Sequence, residues 1–196
     1  MWTVPNILSS ARLVAAPLLI VLAMTDRQYA FAALACVLLI DDWLDGKLAV
    51  WLKQQTTFGA RLDSAADAAL YACILCGLIR LRGSFLWSES PWILGALATY
   101  LATTAFGLIK YGRIPAYHTR GAKISWLLTS IAVMTVCLKV EVAAWPLRAA
   151  MAAVMVTNLE AIAMTRVLPE WHADVLSLRG ALRLAKESGM TRLPDR

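Results

Sequence analysis

Six long apolar runs dominate the chain, at residues 13–24, 29–40, from near 59 through 68–81, 92–109, 124–138 and 142–164. About 20 apolar residues carry a helix across a bilayer, so runs of this length and number leave little chain for anything else. No strand-like alternation is sustained; Pro91, Pro115 and Pro169 fall between the runs as punctuation, and Pro146 sits at the start of the last one. The 196 residues are 60% hydrophobic and 16% charged, against about 45–50% and about 25% in soluble domains. That excess excludes disorder, a nucleic-acid-binding tail and an ordinary soluble fold. The expected class is an all-α integral membrane protein. Six transmembrane helices are preceded by an N-terminal interfacial segment (residues 1–12) and followed by a C-terminal amphipathic helix. The expected domains are a membrane domain over 1–168 and a tail over 169–196.

The net charge of +6 fits cytoplasmic loops and contact with anionic lipid or a phosphorylated substrate, with no nucleic acid involved. With the N-terminus inside, only Arg27, Arg80, Arg82, Lys139 and Arg148 of the 19 Lys and Arg lie outside. The positive-inside rule therefore puts both termini in the cytoplasm. Residues 13–24 read as a membrane helix, because cleavage of a leader at Ala30-Phe31-Ala32 would cut into the next run. Cys36, Cys73, Cys76 and Cys137 all lie in apolar runs, where Cys acts as a small hydrophobe. The Cys73–Cys76 pair has no second pair or nearby His to complete a zinc set. Over 170–187, Trp171, Val175, Leu178 and Leu182 recur at helical spacing against Asp174, Arg179, Arg183 and Lys186, as in a helix lying on a membrane. Small residues crowd helices three to six, which suits close packing or a homodimer.

Five of the 13 acidic residues, Asp41, Asp42, Asp45, Asp63 and Asp67, lie where apolar runs meet the membrane surface. Ionised carboxylates are costly there unless compensated. Asp42 and Asp45 are three apart, Asp63 and Asp67 four apart, so each pair shares a helix face. Residues 46–62 are long enough to turn back and bring the faces together. Converging carboxylates call for divalent cations, and hard oxygen ligands select Mg2+ or Mn2+. Such a cluster suits a diphosphate, with Gly46 and Gly59 leaving room for substrate near the backbone. Salt bridges to Lys47, Lys53 and Arg61 would be the purely structural alternative.

Asp42-Trp-Leu-Asp45-Gly46-Lys-Leu-Ala49-Val50, followed after eight residues by Gly59-Ala-Arg-Leu-Asp63-Ser-Ala-Ala-Asp67, resembles the signature of the CDP-alcohol phosphotransferases, D-x2-D-G-x2-A-R-x8-G-x3-D-x3-D. Residues 5–12, Pro-Asn-Ile-Leu-Ser-Ser-Ala-Arg, look like that family's opening segment. The resemblance implies transfer of a substituted phosphate, such as phosphatidyl from CDP-diacylglycerol, to an alcohol with release of CMP. It implies that Asp42, Asp45, Asp63 and Asp67 hold Mg2+ or Mn2+ and that Asp67 is the general base. Gly46, Ala49 and Gly59 would line the CDP site. The implied setting is phospholipid biosynthesis at a bacterial cell membrane, with a CDP-linked lipid donor, an alcohol acceptor and membrane lipids as partners.

The chain departs from the signature at Val50, where the family has Arg. Either Lys47, Lys53 or Arg61 substitutes, or the donor site is altered, or activity is lost. The 110–123 stretch carries Lys110, Arg113, Arg120 and Lys123, and a cationic pocket suits an acceptor bearing phosphate. Arg113, Arg120 and Lys123 are the expected acceptor-phosphate residues, and His118 is a weaker candidate. The Pro5-Asn6 opening and Lys123 look most like phosphatidylglycerophosphate synthases, which makes glycerol 3-phosphate the first acceptor; inositol phosphate and phosphatidylglycerol stay open. Asp41-Asp42-Trp-Leu-Asp45 also satisfies the D-D-x-x-D pattern of magnesium-dependent intramembrane prenyltransferases, whose second acidic motif usually lies far along the chain. Here it follows at Asp63 and brings the Gly59 spacing with it.

Overall fold

The computed structural model describes residues 3–190 except 53, 55, 114, 116, 118, 173 and 174; the side chains at 46, 49, 50, 57, 60 and 187–190 also lie outside the described set. The described residues form seven helices: α1 (Val4–Met24), α2 (Gln28–Trp51), α3 (Thr57–Ser88), α4 (Ser90–Tyr111), α5 (Arg120–Cys137), α6 (Ala144–Val167) and α7 (Leu178–Met190). No strand occurs among them, as expected. Four are long and apolar enough to cross a membrane: α1, residues Arg61–Ser88 of α3, α4 and α6. Side chains such as Val14, Trp87 and Ile109 are at least four-fifths exposed, a cost that lipid around the helices removes.

The residues gather into two compact units. The first comprises Met1–Ser88 and Val133–Ala143. Its α1 starts at the Thr3 hydroxyl, which accepts from the Asn6 N–H at 3.4 Å, with Pro5 early in the first turn where a missing N–H does no harm. The expected interfacial lead-in is thus no separate segment. Residues 4–12 are the opening turns of α1, because a capped start with well-placed Pro5 propagates directly into the apolar run. Along α1 the buried residues are Pro5, Asn6, Ser9, Arg12, Ala16, Leu19 and Ala23. They form one stripe at helical spacing, polar in its first half and apolar in its second. Against the apolar half pack Phe31, Ala35 and Leu38 of α2 and Leu70, Ile74 and Leu78 of α3. Gly77 gives the Phe31 ring its place, since a Cβ there would sit 2.2 Å from Cε2. Near its end α3 kinks at Arg82 (φ −139°), whose Nε donates to the Val136 carbonyl at 3.1 Å.

The second unit comprises Glu89–Ala132 and Ala144–Arg196. Here α4 packs on α6 and α6 on α7. Polar side chains tie the helices: Thr103 Oγ1 donates to the Asn158 carbonyl at 3.1 Å, Asn158 Nδ2 to Thr99 Oγ1 at 3.1 Å, and Ser125 meets Thr157 at 2.9 Å. Glu89, before α4, accepts both Nε and Nη2 of Arg148 at 2.8 Å. At the other end, α4 stops at Gly112 in the left-handed conformation (φ +64°). Lys110 Nζ donates to the carbonyls of Thr165, Arg166 and Leu168 at 2.7, 3.1 and 2.8 Å, closing the C-terminus of α6.

The tail helix is shorter than the periodicity predicts. It begins at Leu178, and Trp171 and Val175 precede it. Val175 is buried with Met164, Leu168 and Ala181, so packing rather than helical phase explains its apolar character. Arg179, Leu182, Arg183 and Lys186 remain exposed, which keeps α7 amphipathic. Asp174, Arg192 and Arg196 lie outside the described residues.

Candidate active site

Two helices bring the acidic pairs together in the first unit. Asp41 and Asp42 stand side by side near the end of α2, with Asp45 about one turn further on. Where α3 opens at Thr57, Thr56 is its cap, Oγ1 accepting from Gly59 N–H at 2.9 Å. Asp63 and Asp67 then face back toward α2. Asp42, Asp63 and Asp67 each offer a carboxylate oxygen within 4.8 Å of the other two. Asp45 is outside that set; it is 3% exposed, with Ser9 Oγ 3.3 Å from its Oδ2. Tyr71 donates to Asp42 at 2.9 Å.

The compensating charge comes from α1. Arg12 is fully buried, and its guanidinium reaches all five carboxylates. Nε meets Asp41 at 3.2 Å. Nη1 meets Asp42 at 3.1 Å and Asp63 at 3.5 Å, and also pairs with Asp67. Nη2 pairs with Asp45. Arg12, and not the expected Lys47 or Arg61, is the cation that pairs with these acids among the described residues. Lys47 lies over the Trp43 ring at 3.4 Å, Arg61 is exposed, and Lys53 is outside the described residues. Arg12 was readable only as part of a helix face: Asn6, Ser9, Arg12, Ala16, Leu19 and Ala23 recur every three or four residues, and a cation in such a buried stripe demands acids opposite it.

Gly46 and Ala49 lie on α2, with their side-chain positions, like that of Val50, outside the described set. Gly59 is described, and a Cβ there would stand 2.4 Å from Asn6 Oδ1. Its bareness thus lets α3 approach α1, a packing reason beside the expected one. Arg113, Arg120 and Lys123 belong to the second unit and are exposed. Arg113 stacks over Trp171 at 5.5 Å. Lys110, counted with them from sequence, is occupied in closing α6. His118 is outside the described residues. The second unit also holds a recess of about 170 Å³ lined by hydroxyl side chains including Tyr100, Thr103, Thr104, Tyr117, Thr119 and Thr157.

The sequence model of a family described as CDP-alcohol phosphatidyltransferase matches residues 2–165, from α1 nearly to the end of α6. The chain belongs to that family. The match decides between the two diphosphate readings of the acidic motif. Relatives of the CDP-alcohol phosphatidyltransferase family include proteins named CDP-diacylglycerol--glycerol-3-phosphate 3-phosphatidyltransferase. The one from Pseudomonas fluorescens is 35% identical over 91 residues, 45% of this chain and 46% of the relative. That from Cereibacter sphaeroides is 36% identical over 97 residues, 47% and 42%. That from Escherichia coli K12 is 36% identical over 74 residues, 36% and 41%. The chain thus aligns with less than half the length of these relatives. No solved structure matches it significantly.

Proposed function

We propose that this chain transfers the phosphatidyl group of CDP-diacylglycerol to the hydroxyl of glycerol 3-phosphate, releasing CMP. The observation that carries this reading is the meeting of Asp42, Asp63 and Asp67, whose carboxylate oxygens approach within 4.8 Å across two helices. An all-oxygen, anionic donor set of this kind suits Mg2+ or Mn2+. Those three residues would hold the ion, with Asp45 alongside. When bound, it supplies positive charge that offsets the diphosphate and the leaving CMP. The chain's own part is positioning and proton transfer. Asp67 accepts the acceptor's hydroxyl proton as its oxygen bonds to the lipid-bearing phosphorus, and the bond from that phosphorus to CMP breaks. Gly46, Ala49 and Gly59 line the cytidine diphosphate, and Arg113, Arg120 and Lys123 receive the acceptor's phosphate.

In this reading α2 and α5 also cross the membrane, giving six spans with both termini and the acidic cluster on the cytoplasmic side of a bacterial membrane. Residues 1–168 form the catalytic domain. The exposed Arg179, Arg183 and Lys186 of α7 lie at the inner lipid surface. The names of the bacterial relatives favour glycerol 3-phosphate over other alcohols.

Protein purified in detergent with Mg2+ or Mn2+ should release CMP from CDP-diacylglycerol when glycerol 3-phosphate is present and not when it is omitted. Release with inositol phosphate or phosphatidylglycerol alone would reassign the acceptor. Asp67→Asn should lower turnover by about 10²–10⁴-fold, the usual worth of a general base, and weaken metal-dependent nucleotide binding much less, since the amide oxygen still offers a ligand atom beside Asp42 and Asp63. Turnover at the wild-type rate would remove Asp67 from that role. Val50→Arg should leave CMP release of the same order; a large gain would mark an impaired donor site.

A further inference from the structure

We propose that Arg12 is the resident counterion of the acidic cluster and gives way to the divalent cation, the two competing for the same carboxylates. The inference rests on the reading that Asp42, Asp63 and Asp67 hold that ion. Arg12 Nη1 contacts Asp42, Asp63 and Asp67, the same three residues whose oxygens converge within 4.8 Å. A guanidinium nitrogen points its N–H bonds at its partners, so it cannot share those lone pairs with a cation, and the two positive charges repel. The other nitrogens provide somewhere for the side chain to stay. Nε holds Asp41 and Nη2 holds Asp45, and neither acid belongs to the converging three. The planar guanidinium moves as one body, so exchange needs it to tilt or slide off the converging three, with Asp41 and Asp45 beside them still within its reach.

The arrangement has a physical rationale. Five carboxylates among apolar helices repel one another when nothing cationic lies between them, and here one fully buried guanidinium faces all five. Arg12 keeps α1, α2 and α3 assembled before the ion arrives, and its charge sets how tightly the ion is then held. Removing Arg12 has two effects of opposite sign: the metal-free protein weakens and the metal binds more tightly. An arginine with a merely structural role would give the first without the second.

The experiment compares wild type, Arg12→Gln, Arg12→Lys and, as a destabilised control that makes none of the cluster's contacts, Arg148→Gln, whose partner is Glu89. Each is purified in detergent, stripped with EDTA and titrated with Mn2+, with free Mn2+ read by electron paramagnetic resonance and melting followed in parallel. Metal-free Arg12→Gln should melt about 5–10 °C below wild type. Its Kd for Mn2+ should fall about tenfold, with a larger melting gain at a given Mn2+ concentration. Arg12→Lys, which keeps the charge without the fork, should shift both quantities the same way by less, and it carries the test if the glutamine variant does not fold. Arg148→Gln should bind Mn2+ as wild type does. Mn2+ affinity equal to or weaker than wild type in the Arg12 variants overturns the exchange. Wild type that binds no Mn2+ removes the metal reading itself, and the exchange with it.

Discussion

At Gly59 there is no room for a methyl group. The nearest side-chain atoms would be Asn6 Oδ1 at 2.4 Å and Thr56 Oγ1 at 2.8 Å, so Gly59→Ala must displace the start of α3 or of α1. The expected loss is about 1–3 kcal/mol of stability, the usual cost of overpacking. Melting of Gly59→Ala with and without Asn6→Ala checks the cause: the second change should restore much of the loss. If it restores nothing, the crowding lies elsewhere. Individual residues were unevenly legible. The acidic positions stand out because charge in apolar sequence is costly and spacing of three and four puts each pair on one face. Arg12 is hidden by its neighbours in sequence, since Ser10, Ala11 and Leu13 do not share its face. Its meaning depends on partners 29 to 55 positions away.

Among elements, the join between α2 and α3 rests on a ring filling a gap. Gly77→Ala would drive a Cβ to 2.2 Å from Phe31 Cε2. It should lower the melting temperature, and Phe31→Leu in the same chain should recover part of the loss; no recovery would show that the ring is not the obstacle. Between α4 and α6 an ion pair stands beside the neutral hydrogen bonds of Thr99, Thr103 and Asn158. Hydrogen bonds from Arg148 hold the Glu89 carboxyl below its ordinary value, and burial opposes this only in part. Since the folded value is lowered, this pair's contribution is present above the unfolded Glu value and disappears as pH falls through the folded one. Wild type should therefore melt above Glu89→Gln at pH 7, and the gap should close as the pH drops below about 4. A gap that persists in acid would assign the effect to packing. Helix number and type were readable from apolar run length, but ends were not. Capping by Thr3 carried α1 back to Val4, and α2 runs on through its acids to Trp51. Val175 shows the reverse: an apolar residue in helical phase with α7 that belongs to a packed coil before it.

For the molecule as a whole, orientation in the membrane is the property most directly set by charge. A cysteine-free chain carrying Val140→Cys should react with an impermeant maleimide in intact cells, whereas one carrying Arg113→Cys should react only after the membrane is opened. The opposite pattern would invert the topology and place the acidic cluster on the outer side. The apolar pattern announces a membrane protein because lipid rewards the same side chains along every crossing segment. It says much less about how four, five or six segments share the work, since α2 mixes a spanning length with Asp41, Asp42, Asp45 and Lys47. The three carbonyls gathered by Lys110 have one more consequence. Each of the ammonium's three protons has an acceptor, at 2.7, 3.1 and 2.8 Å. That nitrogen should be slow toward acylating reagents while Lys123 is quick, which would make acylation of Lys110 a chemical clock for the unfastening of the α4 and α6 ends.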